Sequence, residues 1–303
     1  MTVKPYRPWR MLAPLATVFI LFGLWSGYWF FAQAAAKSYV ENYRAKLASK
    51  GVTLACESED WGGYPFRFEF SCGKPLVQIP GERSAQSSAL LIVGQAYNPM
   101  HVIALVDGPT SVHPRSGAPV EFTHNRGVAS LVFAGGELPR ISAEVSNLAA
   151  VNQFSAKDAQ IHIRPTGDGG AEFAIAVEAG ELNSPDKPPL RLENGQVLAR
   201  LKPNRDVEIQ SVTVQQGAQK ISATGTLRLD SEHRIAGIVT AETNDLNGLI
   251  AALDPHLSLS DRERAAIQTL LGLLGKEGKA DIIAKDGELF VGPVKVGDLT
   301  PLY

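Results

Sequence analysis

Residue types that carry chemistry are few in this chain and lie far apart. Its two cysteines, Cys56 and Cys72, bracket the stretch CESEDWGGYPFRFEFSC. Beside Trp61, the carboxylates Glu57, Glu59 and Asp60 cluster, a set that could serve acid–base work or hold Ca²⁺ through hard oxygen ligands. No complete ligand loop surrounds them, so a solvated strand end is the simpler reading. The six histidines, His101, His113, His124, His162, His233 and His256, fall in separate segments, none at helical ligand spacing from another. From that spacing no metal site is expected. The sequence also has no G-x-S-x-G elbow, no phosphate-cradling glycine loop and no G-x-G-x-x-G after a strand. The expectation is therefore a protein without catalytic residues or cofactor.

What the cysteines do depends on the compartment, and the first forty residues bear on that. No charged residue occurs from Met11 to Ala36, a run long enough to cross the roughly 30 Å hydrocarbon core of a bilayer. Lys4, Arg7 and Arg10 precede it, which orients the N-terminus toward the cytoplasm. Tyr28, Trp29, Phe30 and Phe31 have the look of an aromatic belt at the outer interface. Ala32-Gln33-Ala34 also has the small-x-small form of a signal peptidase site. An uncleaved anchor and a signal peptide cut after Ala34 both remain open, the length of the run favouring the anchor. The expected organisation is a cytoplasmic N-terminus over 1–10, a transmembrane anchor over 11–36, a stalk helix over 37–51 and a periplasmic β-rich domain over 52–303. The site expected for such a chain is the bacterial inner membrane, crossed once.

In an oxidising compartment, cysteines that flank two strands and a turn favour a structural Cys56–Cys72 disulfide over a redox pair, which usually has two intervening residues. Between them, Gly62-Gly63 can supply positive φ, and Pro65 pushes Tyr64 toward an extended conformation. Phe66, Phe68 and Phe70 share one strand face, with Arg67 and Glu69 on the other.

An N-terminal anchor, a short helix, the segment WGGYPFRF between two cysteines and a C-terminal DGELFVGPVKVG together resemble a family of uncharacterised membrane-anchored envelope proteins of alphaproteobacteria. The resemblance implies a location and an architecture, and no catalytic residue comes with it. A looser similarity, in the anchor and the β-rich layout, links the chain to envelope proteins that carry or shelter lipids.

Acidic and basic residues nearly cancel, 31 against 29, so no basic field exists to draw nucleic acid. Lys37 to Lys50 places Val40, Tyr43 and Leu47 on one helical stripe, with Gly51 as a candidate residue just past its end. It reads either as an outward continuation of the membrane helix or as an amphipathic helix lying on a sheet. From Leu76 to Asp230 the period is mostly two, as in Phe173, Ile175 and Val177. Asn194-Gly195 and Asp286-Gly287 both give hairpin signals, and Gly108-Pro109, Asn125-Arg126-Gly127 and Gly167-Asp168-Gly169-Gly170 read as further turns. The fold class expected is α+β, mainly β: a transmembrane helix followed by a curved, mostly antiparallel sheet with a few covering helices.

Two helices interrupt the strands. One, capped by Asn244, presents Leu246, Leu249, Ile250 and Leu253 before Pro255. The other opens on a Ser260/Glu263 capping box and presents Ile267, Leu270, Leu271 and Leu274 before Gly275. These eight side chains are the candidates to line a groove for a lipid-like ligand, with ordinary closure of a core as the plainer alternative. The partners expected are the membrane and either a lipid or another envelope protein that uses the chain as a scaffold.

Overall fold

The computed structural model of the protein describes residues 9–81, 83–115, 117–133, 138–184, 187–256, 265 and 278–301. Helix α1 runs unbroken from Trp9 to Ala48, so the apolar run and the polar segment after it form one rod. Its end is closed where the Gly51 N–H bonds the Ala48 carbonyl and the Val52 N–H bonds that of Leu47. Gly51 takes a positive φ of 78° there, as a residue just past a helix end often does.

The rest is overwhelmingly strand. A short β1 (Thr53–Ala55) and the hairpin β2 (Ser58–Gly62) and β3 (Arg67–Gly73) are followed by β4 (Leu76–Ile79), β5 (Arg83–Gln95) and β6 (Asn98–His113). Then come β7 (Val120–Thr123), β8 (Gly127–Val132), β9 (Arg140–Ala150), β10 (Phe154–Pro165), β11 (Ala171–Ser184) and β12 (Lys187–Leu201). The last set is β13 (Val207–Gln216), β14 (Gln219–Leu229), β15 (Ile235–Thr243), helix α2 (Leu246–Leu253), β16 (Gly278–Lys285), β17 (Glu288–Val291) and β18 (Val294–Asp298).

Every pairing is antiparallel. From β8 onward each strand pairs with the next, through to β18. At the start β5 is shared: its Ala89–Gln95 part pairs with β3 and its Arg83–Gln86 part with β4. Register slips at Leu198/Ala199 and Ile209/Val212 mark irregularities in the ladders, the kind of feature that bends a sheet and raises its twist. The protein is thus mainly β, an N-terminal apolar helix followed by one large antiparallel sheet.

Two of the turn signals lie inside strands. Asn194 and Gly195 fall in the middle of β12, opposite Glu178 and Val177 on one side and Gln215 and Val214 on the other. An Asn-Gly pair makes a hairpin only if its flanking runs pair with each other. Here β11 and β13 take both edges of the whole segment. Gly108-Pro109 lies within β6, where the β5 register jumps between Ser87 and Ala89, a bulge that tolerates the missing proline N–H. Asp286-Gly287, by contrast, does join β16 to β17, with φ of 54° and 79°.

Little of the molecule is a closed core. Among the described residues only nine apolar side chains are buried, and five of these are Ala96, Ala150, Ala156, Ala171 and Ala284. Of the larger ones, Trp29 belongs to α1 and Leu246 to α2, while Phe70 and the disulfide of Cys72 meet Arg44 of α1, so the larger closed packing lies where a helix meets the sheet.

Candidate functional site

The register places apolar residues opposite one another across the sheet. Starting at β2, one row of direct partners reads Trp61, Phe70, Ile92, Ala104, Ala129 and Ala143. It continues through Ile161, Ile175, Val197, Val212, Ala223, Ala241 and Ala280 to β16. On the same face, two residues along each strand except β13, where the bulge makes it three, a second row runs Phe68, Gly94, Val102, Leu131, Ile141 and Ile163. It goes on through Phe173, Ala199, Ile209, Gly225, Val239, Ile282 and Val291. Neither row contains a polar side chain. On the opposite face the row flanking the first, on the side away from the second, is mostly polar: Glu144, Gln160, Ala176, Gln196, Thr213, Ser222, Glu242 and Lys279. Side chains alternate across a pleated strand, and that alternation, held in register over so many strands, yields one continuous apolar face and one wetted face.

Ion pairs reinforce the sheet's polar side and its margins. Lys279 reaches Glu242 at 2.7 Å, Arg191 reaches Glu181 at 2.8 Å and Arg200 reaches Asp168 at 2.7 Å. Asp168 also accepts from the Thr166 hydroxyl and the Gly170 N–H. Those bonds favour its charged form and hold its carboxyl at about 2, below the ordinary 3.8.

At one end the apolar face is covered by α1. Trp29, only 3% exposed, stacks on Phe68 with ring centroids 5.7 Å apart. Farther along the helix, Arg44 sits over the Phe70 ring at 5.7 Å and binds Glu59 at 2.8 Å, while Lys37 lies 5.7 Å from the centre of Trp61. Cys56 and Cys72 form a disulfide, with Cα atoms 5.3 Å apart, and so tie the end of β3 to the segment that follows the helix. Gly63, at φ 98°, turns the hairpin where a Cβ would stand 2.5 Å from the Arg67 carbonyl. Phe68 and Phe70 face inward as the alternation requires. Phe66 lies outside β3 and is exposed, so it does not join them beneath the turn.

Beyond α1 the described residues leave hollows on this face. One hollow of about 470 Å³ is lined by Val106, Ala143, Val145, Ala159, Ile161 and Ile175 among others. A second, of about 400 Å³, lies beside it along β11 and is lined by Val177, Leu182, Leu192, Val214 and Ile221. Both volumes are within the usual range for small-molecule sites.

Helix α2 stands over the second hollow. Leu249 and Ala252 contribute to its lining, and Leu246 is buried so close to Gly278 that a Cβ there would meet its side chain at 2.5 Å. The helix is capped by Asp245, whose carboxylate accepts the Gly248 N–H at 3.0 Å. Asn244 is used otherwise, accepting the Lys220 N–H and donating to the Ala218 carbonyl. Ile250 and Leu253 lie on α2, but their side chains are outside the described set, and Ile267, Leu270, Leu271 and Leu274 lie outside the described residues altogether. The helical candidates therefore account for one rim of the site. Its floor is made by strand residues that sequence reasoning passed over, although the alternation of Phe173, Ile175 and Val177 carried the signal.

The remaining candidates for chemistry stay apart. Glu57 pairs with Lys74 at 2.7 Å and Glu59 with Arg44, the arrangement of a solvated strand end. Hydrogen bonding to Glu57 raises the Lys74 pKa. His101 bonds Ser130 and His162 bonds Ser142, each across a strand pair. Among the described residues no group of three or more His, Cys, Asp or Glu is placed to hold a metal ion.

Residues 29–300 match the family model described as "Uncharacterized protein conserved in bacteria" (DUF2125). That match spans most of the chain, which belongs to this family. No curated protein and no solved structure matches it.

Proposed function

We propose that this family member is a membrane-anchored envelope protein that binds a lipid-like apolar ligand along the open face of its sheet, without catalysing a reaction. The observation that carries the reading is the pair of unbroken apolar rows, which leave the cover of α1 and pass under only one further described helix. Soluble chains rarely leave so large an apolar surface bare unless something occupies it.

Three features support this location. Helix α1 is long and apolar enough to cross a membrane. Its charged flank, with Lys4, Arg7 and Arg10, suits the cytoplasmic side, which is consistent with a sheet in the periplasm, held at a bacterial inner membrane. The disulfide belongs to an oxidising compartment.

Affinity needs no charged recognition site. Each buried CH₂ contributes roughly 0.8 kcal/mol, so one acyl chain lying across a few strands is held by area alone. A diffuse site of this kind selects for chain-like apolar molecules and is tolerant of headgroups.

Native mass spectrometry after gentle extraction, followed by lipid analysis of the released mass, tests the reading. A bound acyl-chain lipid is the expected result. A bare chain, or an added mass that proves to be a protein covering the face, overturns it and favours a scaffold.

A further inference from the structure

Three turns at the anchor end of the sheet carry exposed apolar side chains: Tyr64 and Phe66 between β2 and β3, Tyr97 and Met100 at the β5–β6 turn, and Phe133 after β8. Phe66 is 63% exposed and Tyr97 69%. The tips are tied into one unit, since the Ala96 N–H bonds the Phe66 carbonyl and the Phe133 N–H bonds that of Met100. Later turns on the same edge have no such character. They are built from Thr166–Gly170, Lys202–Asp206, Asp230–Arg234 and Asp286–Gly287, all polar or glycine-rich.

The tips touch α1 at a definite height. Tyr64 stacks on Phe30 at 5.6 Å, meets Phe22 edge-on at 6.5 Å and shares a 2.8 Å hydrogen bond with Ser26. At 1.5 Å per residue from Met11, Phe22 lies about 17 Å along the helix and Phe31 about 30 Å. A hydrocarbon core of roughly 30 Å that begins after Arg10 therefore ends near Phe31, or farther along if the helix tilts. The tips sit at or below that boundary.

Their backbone is prepared for such a place. Turn carbonyls cannot be left unpaired where water is scarce. Trp25 donates its indole N–H to Pro65, Trp29 donates to Arg67, and the Tyr28 hydroxyl donates to Ala96, each at 2.8 Å. Aromatic side chains with a polar tip are also the types that settle at a membrane interface.

We propose that the turn tips bearing Tyr64, Phe66, Tyr97, Met100 and Phe133 insert into the leaflet that faces the sheet domain. This rests on the reading that α1 spans the membrane. The sheet then begins inside the lipid, and its half-buried residues Val102 and Leu131 lie next to acyl chains, with no aqueous gap to cross.

The test places a photoreactive diazirine side chain at position 66, 97 or 133 of the full chain, with Asn204 and Glu232 as polar-turn controls and Phe19 as a control within α1. Each protein is reconstituted in vesicles of deuterated phosphatidylethanolamine and phosphatidylglycerol, so that the adduct mass separates added bilayer from any lipid carried through purification. An intact Cys56–Cys72 disulfide on a non-reducing gel reports that the hairpin has folded. Deuterated adducts at 66, 97 and 133 as well as at Phe19, and none at Asn204 or Glu232, are expected. Adducts at Phe19 alone overturn the insertion and leave the anchor standing. No adducts at Phe19 overturn both.

Discussion

Trp29 of the helix lies flat on Phe68 of the sheet, the two rings 5.7 Å apart and inclined by 23°, while the Trp29 indole bonds the carbonyl of Arg67. One side chain thus joins the apolar rod to the first residue of an apolar row.

Replacing Trp29 by Ala should cost about 3–5 kcal/mol, the usual penalty for removing a buried aromatic. Trp25→Phe keeps most of the ring and loses only the bond to Pro65, at about 0.5–1.5 kcal/mol. Denaturant unfolding in detergent, followed by near-ultraviolet circular dichroism, ranks the two. Equal midpoints would mean that the stack does not hold helix and sheet together.

On the apolar face, Ile175→Glu and Val197→Glu each place a charge in the first row. Fluorescent fatty-acid binding should fall by about tenfold or more, because a carboxylate there displaces several CH₂ contacts of roughly 0.8 kcal/mol each. Ala176→Glu, one residue away on the wetted face, should bind as the parent does. A loss in all three, with the fold kept by circular dichroism, would show that the two faces are not distinguished by ligand.

Asp168 gives a prediction in pH. Its carboxyl is held at about 2, against an ordinary value of 3.8, first by the Thr166 hydroxyl and next by the Gly170 N–H. A depressed folded pKa means that the unfolded chain takes up the proton first as pH falls. The stabilisation is therefore complete above about 4 and lost on descending toward about 2. Asp168→Asn should flatten the pH dependence of the unfolding midpoint in that window and leave its slope near neutrality unchanged. An unaltered acid limb would remove Asp168 from the account.

The sequence revealed the fold class, the disulfide and the site only to different depths. Cys56 and Cys72 were legible because few arrangements other than a staple suit two cysteines around a hairpin. Phe173, Ile175 and Val177 were legible because large side chains alternate with polar ones. The site's extent was not, for a physical reason: Ala104, Ala129, Ala143, Ala223, Ala241 and Ala280 fill much of the row. Alanine carries too little apolar area to register as a periodic signal, yet in register it roofs a face as well as a larger residue. Asn194-Gly195 misled in the opposite sense, because a local turn preference yields when both neighbouring strands claim the full length of the segment. Asn244 and Asp245 are equivalent by residue type as helix caps, and only the competing bond from Lys220 decides between them.

From β8 onward each strand pairs with the next, and this makes the dimension across the strands adjustable independently of both ends. Excising the hairpin β11–β12 would bring Ile161 opposite Val212 and Ile163 opposite Ile209, apolar beside apolar with the strand direction preserved. Each hairpin added or lost changes the span by roughly 9.5 Å, two interstrand spacings, without touching the helix-bound end. The width of the sheet is in this architecture a matter of counting hairpins, so gene-level insertion or loss of a strand pair can widen or narrow it while the helix-bound end stays as it is.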